Sequence, residues 1–217
     1  MKKIIIIGSG GHAKVVADII LTRKEKLKEN LEIIGFLDDN FKNLKYNSIF
    51  GIPILGDLEN IKNFISKDYS FVIAIGDNDI RKKISENYSK LIYYTAIHPK
   101  SIISREVKIG AGTVVMANVV INPNSIIGKH CILNTSSVIE HDSRLGSYVH
   151  ISPNTTLCGG VSIDDNSWIG AGSVVRQQIY IGKDVVVGAN SVVVKDIENS
   201  CIVVGNPAKK IKEKETK

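Results

Sequence analysis

At 217 residues the chain has room for one large domain or two modest ones. No apolar stretch approaches the roughly 20 residues that span a bilayer, and Ile4–Ile7 is too short for a secretory signal. Three cysteines at irregular spacing exclude a disulfide framework and fit a reducing cytoplasm. The net charge of +6 raises the question of nucleic acid, but the lysines are scattered and cluster only in Lys209–Lys214, without interleaved aromatics. A small polyanionic ligand accounts for that charge equally well, so no nucleic-acid partner is expected.

In chain order, Lys2–Ile7 is an apolar run that ends in glycines, a buried strand followed by a turn. Ala13–Leu27 carries helical spacing, and Leu31–Leu37 is a second strand closed by Asp38-Asp39-Asn40. Asn43–Phe50 reads as a loop and Ile52–Leu55 as a short extended piece; Asp57 is placed to cap a helix reaching about Ile65. Phe71–Ile75 is a third strand, Asn78 is placed to cap a helix over Asp79–Tyr88, and Leu91–Tyr94 is a fourth strand. Alternating strands and helices define a small Rossmann-like α/β domain with a parallel sheet over residues 1–95.

From Ile97 to Val193 every sixth residue is aliphatic, without a slip: Ile97, Ile103, Ile109, Val115 and onward. With 43% of the chain hydrophobic, 17 consecutive hits in one register arise by chance about once in a million. A small or apolar residue follows four positions later, as in Thr113, Val119 and Ser125, and glycine often comes directly after the aliphatic. A period of six suits short strands joined by corners, three to a coil, each coil adding about 4.8 Å of height. The aliphatic points inward, the small residue sits near the corner, and the glycine is expected to supply freedom where the chain bends. The solenoid is assigned to residues 96–217, with Cys201–Pro207 folding back and a short helix or frayed tail from Lys209.

Two groups of residues carry chemistry. Gly8-Ser9-Gly10-Gly11-His12-Ala13 lies between strand and helix, where a backbone can approach a phosphate at a helix N-terminus, and Asp38 ends the next strand where a ribose-binding acid would sit. The domain is too short for the second half of a dinucleotide fold, which favours another phosphate-bearing ligand over NAD. The second group is His141 between Glu140 and Asp142, a histidine that flanking carboxylates can hold in one tautomer and make more basic. One coil of eighteen residues above His141 stands Gly159, followed by Gly160. Glycines there leave room for a substrate and expose backbone N–H groups that could steady an oxyanion.

The chain as a whole resembles the hexapeptide-repeat sugar acyltransferases that join a small α/β domain to a left-handed parallel β-helix. It is most similar to the N-acetyltransferases of UDP-4-amino-4,6-dideoxy-N-acetylglucosamine in bacillosamine synthesis. The matching stretches are Gly8–His12, Phe36–Asp39, Ala74–Asn78, Ile80–Lys83, Ile132–His141, His150, Gly159-Gly160 and Val204–Ala208. The resemblance implies His141 as catalytic base, oriented by a neighbouring acid, where the family more often has a glutamate than Asp142. It places the UDP-sugar at Gly10, Gly11, His12, Asp38, Asp39 and Gly76, and Asn134 beside the amino sugar. It places acetyl-CoA along the prism of an adjacent subunit, against His150, Gly159, Gly160, Ala171 and Ala189, with no metal; a triangular prism whose sites are shared between neighbours predicts a homotrimer.

Other functions remain compatible with the residues alone. Acetylation of a hydroxyl, for instance of a sialic acid, needs the same base and donor site. A zinc-dependent hydratase would use three histidines, and His130, His141 and His150 are the possible set. A non-catalytic β-helix protein predicts no acetyl-CoA binding.

Overall fold

The computed structural model describes residues 1–214 and divides into two compact units, Met1–Pro99 and a second from Lys100 onward. The last three residues of the sequence, part of the expected tail, lie outside the described residues.

In the first unit, β1 (Lys2–Ile7) is followed by α1 (Gly11–Leu27), β2 (Leu31–Leu37), β3 (Ser48–Ile49), β4 (Ile52–Gly56), β5 (Tyr69–Ile73) and α2 (Asn78–Asn87). The sheet order is β3-β4-β2-β1-β5, with β1, β2, β4 and β5 parallel and β3 antiparallel to β4. Ile4, Ile5, Ile6 and Ile7 are all fully buried, which is why β1 reads as an unbroken apolar run rather than an alternating one. The fourth strand expected at Leu91–Tyr94 is reduced to a single bridge, Phe71 to Tyr93. The helix expected after Asp57 is a 3₁₀ segment, Leu58–Phe64, and its first amide is held by Asp39 Oδ1 at 2.9 Å rather than by Asp57. At α2 the cap is Asp77, accepting from Ile80 N at 2.9 Å, one residue before the expected Asn78.

In the second unit every expected inward aliphatic from Ile103 to Val193 is the second residue of a two-residue strand. Strands pair in parallel at eighteen-residue offsets, as in Val120 with Val138 and Val138 with Thr156, until the last coil, where Val186 pairs with Ile202 at an offset of sixteen. They stack into three faces of a left-handed parallel β-helix. Strands starting at Val114, Ile132, His150, Trp168 and Val186 make the first face. Those starting at Ile102, Val120, Val138, Thr156, Val174 and Val192 make the second, and the third runs from Lys108 to Tyr180. Thr113, Ser125, Ser137, Thr155, Ser167, Ser173 and Ser191 are fully buried at the corners. Several of these hydroxyls donate to a carbonyl fifteen residues on, as Thr155 does to Gly170 O at 3.0 Å, so the neighbouring coil satisfies them, whereas Ser137 Oγ has no partner among the described residues.

The glycines after the aliphatics are not where the chain bends. Left-handed backbone occurs three residues after the aliphatic, at every sixth position from Glu106 to Asn190, and only Gly112, Gly160 and Gly172 of that series are glycine. The glycines one residue after the strand serve close stacking: a Cβ on Gly170 would stand 2.6 Å from both Ala189 N and Val187 O of the next coil. The prism ends in an antiparallel pair, Cys201–Val204 with Lys209–Glu213, and not in a helix or frayed tail.

Candidate active site

The first unit has its cleft where the strand order reverses. The chain leaves β1 to one side for β2 and β4 and places β5 on the other, so the loops after β1 and β5 part at the carboxyl ends of the strands. A cleft of about 380 Å³ opens there, lined by Gly8, Ser9 and Gly10, by Ala74, Ile75 and Gly76, by Asp38, Asp39 and Asn40, and by Leu58, Ile80 and Ile84. Only Gly8 is required by its backbone, with φ of 103° and a Cβ that would stand 2.9 Å from Ala74 O. Gly10, Gly11 and Gly76 would carry a Cβ with nothing within 4 Å, so their lack of a side chain leaves open space and not a fold constraint. Gly10 is the N-cap of α1 without a side-chain cap, and the first turn holds no acidic residue, which leaves the helix start open to an anion.

Of the expected nucleotide-sugar residues, Gly10, Asp38, Asp39 and Gly76 come together around this cleft. Asp38 is already engaged: Oδ2 accepts from Ser9 N at 2.8 Å and Ser9 Oγ at 2.5 Å, and Oδ1 from Asn40 N at 2.9 Å. Its carboxylate therefore shapes the glycine turn. His12 is not among the lining residues; its Nε2 is buried with no hydrogen-bond partner among the described residues, and burial together with the Arg81 cation holds its pKa down to about 4. It is neutral at physiological pH.

In the second unit, His141 stands exposed on the edge between the second and third faces. Its Nδ1 lies 2.8 Å from Asp142 Oδ2, while Glu140 accepts from the His141 backbone N–H at 3.4 Å. Asp142, whose left-handed φ of 60° an aspartate tolerates, is thus the acid that orients the ring. The hydrogen bond to Asp142 raises the imidazole pKa above its ordinary value, and the same bond lowers that of Asp142. With Nδ1 engaged, Nε2 is the nitrogen left for a substrate. It faces Gly159: a Cβ there would lie 2.8 Å from both His141 Nε2 and Cε1. Gly160 N is spent on His141 O at 2.8 Å, so of the two expected oxyanion donors only the Gly159 N–H has no hydrogen bond among the described residues.

Asn134 and His150 meet elsewhere, with Asn134 Nδ2 3.4 Å from His150 Nε2, while Ala171 and Ala189 lie on the edge between the first and second faces. Within one chain, then, His141 and Gly159 occupy one edge of the second face, and Asn134, Ala171 and Ala189 the other. The outward residues between them, Ile102, Val120, Val138, Thr156, Val174 and Val192, are apolar or β-branched throughout, and Ile102 and Val174 are 61% and 38% exposed. Trp168 was not anticipated. Its ring stacks on His150 at 5.3 Å and its Nε1 donates to Ser152 Oγ at 2.8 Å. The eighteen-residue offset from His150 would have found it. His130 stacks instead on Tyr148 at 5.6 Å, so His130, His141 and His150 do not converge within the chain. Among the described residues no three histidine, cysteine or acidic side chains are grouped to hold a metal, and no helix is long and apolar enough to cross a membrane.

A cleft at the switch point of a small parallel sheet and an oriented histidine on a left-handed β-helix define the class of hexapeptide-repeat transferases. Residues 3–88 match the PglD N-terminal domain family, and residues 106–141 and 160–195 match the bacterial transferase hexapeptide family of six repeats. The structure is similar to PerB of Caulobacter crescentus, solved with CoA and GDP-perosamine, at 35% identity and a TM-score of 0.87, over 97% of this chain and 98% of that one. It is likewise similar to the acetyltransferase domain of PglB from Neisseria gonorrhoeae, at 37% identity and a TM-score of 0.89, over 97% of this chain and 100% of that one. The UDP-N-acetylbacillosamine N-acetyltransferase of Bacillus subtilis is 37% identical over 119 residues, which cover 54% of this chain and 52% of that enzyme. The chain thus spans about half the length of that curated relative. It belongs to the family of hexapeptide-repeat sugar N-acetyltransferases with a PglD-type N-terminal domain.

Proposed function

We propose that the protein transfers the acetyl group of acetyl-CoA to the amine of a nucleotide-linked amino sugar, specifically a UDP-linked 4-amino-4,6-dideoxy sugar, with His141 as general base. The observation that carries the reading is the pairing of His141, fixed through Nδ1 by Asp142, with the open backbone of Gly159 one coil above its Nε2. Its relatives support the acceptor class: one is named for a UDP-sugar and another is bound to a GDP-amino sugar.

Nε2 takes a proton from the amine as its nitrogen attacks the thioester carbonyl. The Gly159 N–H donates to the oxygen of the tetrahedral intermediate. Collapse expels the CoA sulfur, which receives the proton from Nε2, and the products are the amide and free CoA thiol. Neither a covalent enzyme intermediate nor a metal enters these steps. In this reading Gly10, Gly11, Asp38, Asp39 and Gly76 surround the nucleotide sugar. His150, Gly160, Ala171 and Ala189 flank the donor.

The two halves of the donor site lie on opposite edges of an apolar face, so the working unit we propose is a cytoplasmic homotrimer in which one prism supplies His141 and Gly159 and its neighbour Ala171 and Ala189. Sedimentation should give a stable trimer at assay concentration; a stable active monomer refutes the shared site. The function itself is tested by incubating the protein with acetyl-CoA and a panel of UDP-, GDP- and dTDP-linked amino sugars and following thiol release. Turnover with a UDP-4-amino sugar is expected. Turnover confined to the GDP sugar corrects the nucleotide, and none with any amine refutes the reading.

A further inference from the structure

Arg81 has the largest side chain among the fully buried ones, only 1% exposed, a costly place for a permanent cation unless its donors are satisfied. The guanidinium turns back beneath the start of α2. Nη1 donates to Ile75 O at 2.9 Å, Gly76 O at 3.1 Å and Asp77 O at 3.3 Å, and Nη2 to Asn78 Oδ1 at 2.7 Å. Three consecutive carbonyls therefore converge on one group. α2 does not need it as a cap, because Asp77 already accepts from Ile80 N.

What this convergence does appears on the opposite side of the loop. In a trans peptide, the carbonyl of one residue and the N–H of the next point in opposite directions. Gathering the carbonyls of Ile75, Gly76 and Asp77 thus turns the amides of Gly76, Asp77 and Asn78 away from the guanidinium. Among the described residues, the Gly76 and Asp77 N–H groups make no hydrogen bond. Gly76 lines the cleft, with nothing within 4 Å of where its Cβ would stand. Successive outward amides beside open space are donors arranged for an acceptor that the protein does not itself supply.

We infer that Arg81 is a positioning residue for nucleotide-sugar binding: it holds the Ile75–Asp77 carbonyls beneath the loop and so presents the Gly76 and Asp77 amides to acceptor oxygens of a nucleoside diphosphate. The inference rests on the cleft of the first unit being the nucleotide-sugar site. A lysine in its place keeps the charge but loses the planar fork that serves the carbonyls and Asn78 together.

The test is calorimetry of UDP and GDP, and separately of acetyl-CoA, against the full chain and its Arg81→Met, Arg81→Lys and Asn78→Ala variants. For the nucleotide that binds, Kd is expected to rise about tenfold or more in Arg81→Met and about threefold in Asn78→Ala, with Arg81→Lys between them. The Kd of acetyl-CoA should stay within about twofold in all three, which a general loss of structure would not allow. If Arg81→Met does not fold, Arg81→Lys and Asn78→Ala carry the test, since Asn78→Ala removes one of the four bonds described above. Folded variants that bind the nucleotide as well as the wild type, or that lose both ligands equally, overturn the inference alone. A wild type that binds neither UDP nor GDP overturns the assignment of the cleft and the inference with it.

Discussion

The most direct test of the catalytic geometry is a single methyl group at Gly159. Its φ is not in the left-handed region, so alanine brings no backbone strain there, and the only atoms a Cβ would crowd belong to the His141 ring, at 2.8 Å. To restore ordinary contact at 3.4 Å or more, the ring must retreat by at least the difference between those distances. The side chain of His141 is 61% exposed, so it can swing, but doing so moves Nε2 off line and pulls Nδ1 from Asp142. A displacement of this order costs a positioned catalytic group about 10²-fold. Gly159→Ala should therefore lower kcat by about 10²-fold, and Gly159→Val should abolish transfer and weaken acetyl-CoA binding, because its branches fill the space of the thioester. Thermal stability and nucleotide binding should stay unchanged in both. Thiol release measures the first effect and separate calorimetry of the two ligands the second. Full activity in Gly159→Val would refute the placement of the reacting atoms beside this coil.

Two further outcomes follow from the geometry. Asp142→Ala removes the hydrogen bond that raises the His141 pKa, so the acid limb of kcat/KM against pH should move to lower pH while the plateau falls; a limb that stays in place refutes His141 as the titrating base. Gly170→Ala drives a Cβ against backbone of the next coil, which has no flexible end to yield, and should cost about 1–3 kcal/mol as overpacking, read as a lowered Tm. A Tm equal to that of wild type would show that the coils can part without penalty.

The six-residue pattern was legible because it is enforced by burial: every sixth residue from Val115 to Val193 is buried, while Ile103 is 37% exposed. The position of the bends was not. Glycine marks them poorly, since Asn118, Asn124, Asp142 and Asn154 adopt left-handed backbone themselves, while Gly110, Gly128 and Gly170 are needed for contact with the coil above. The strand Lys209–Glu213 carries no apolar alternation because all five residues are exposed, and only pairing with Cys201–Val204 makes it a strand. At the candidate site, the eighteen-residue offset placed Gly159 beside His141, whereas the hold of Asp38 on Ser9 spans 29 residues and leaves no local trace. The choice between Glu140 and Asp142 as partner of the ring needed the corner geometry, which turns one carboxylate to Nδ1 and the other to the backbone N–H.

Parallel pairing at an eighteen-residue offset, kept from Ile102 to Val193, makes the prism a graduated scale. Distances along its axis from His141 are available only in steps of about 4.8 Å, one whole coil at a time. A one-residue insertion within a strand would turn the following aliphatics outward, whereas gain or loss of a full coil keeps the interior intact. In the proposed function, the length of donor that fits between His141 and the end of the prism is therefore a quantised trait. On that reading the reach of the acyl carrier changes only by counting coils, and the side chains lining each coil are left to choose what sits at each graduation.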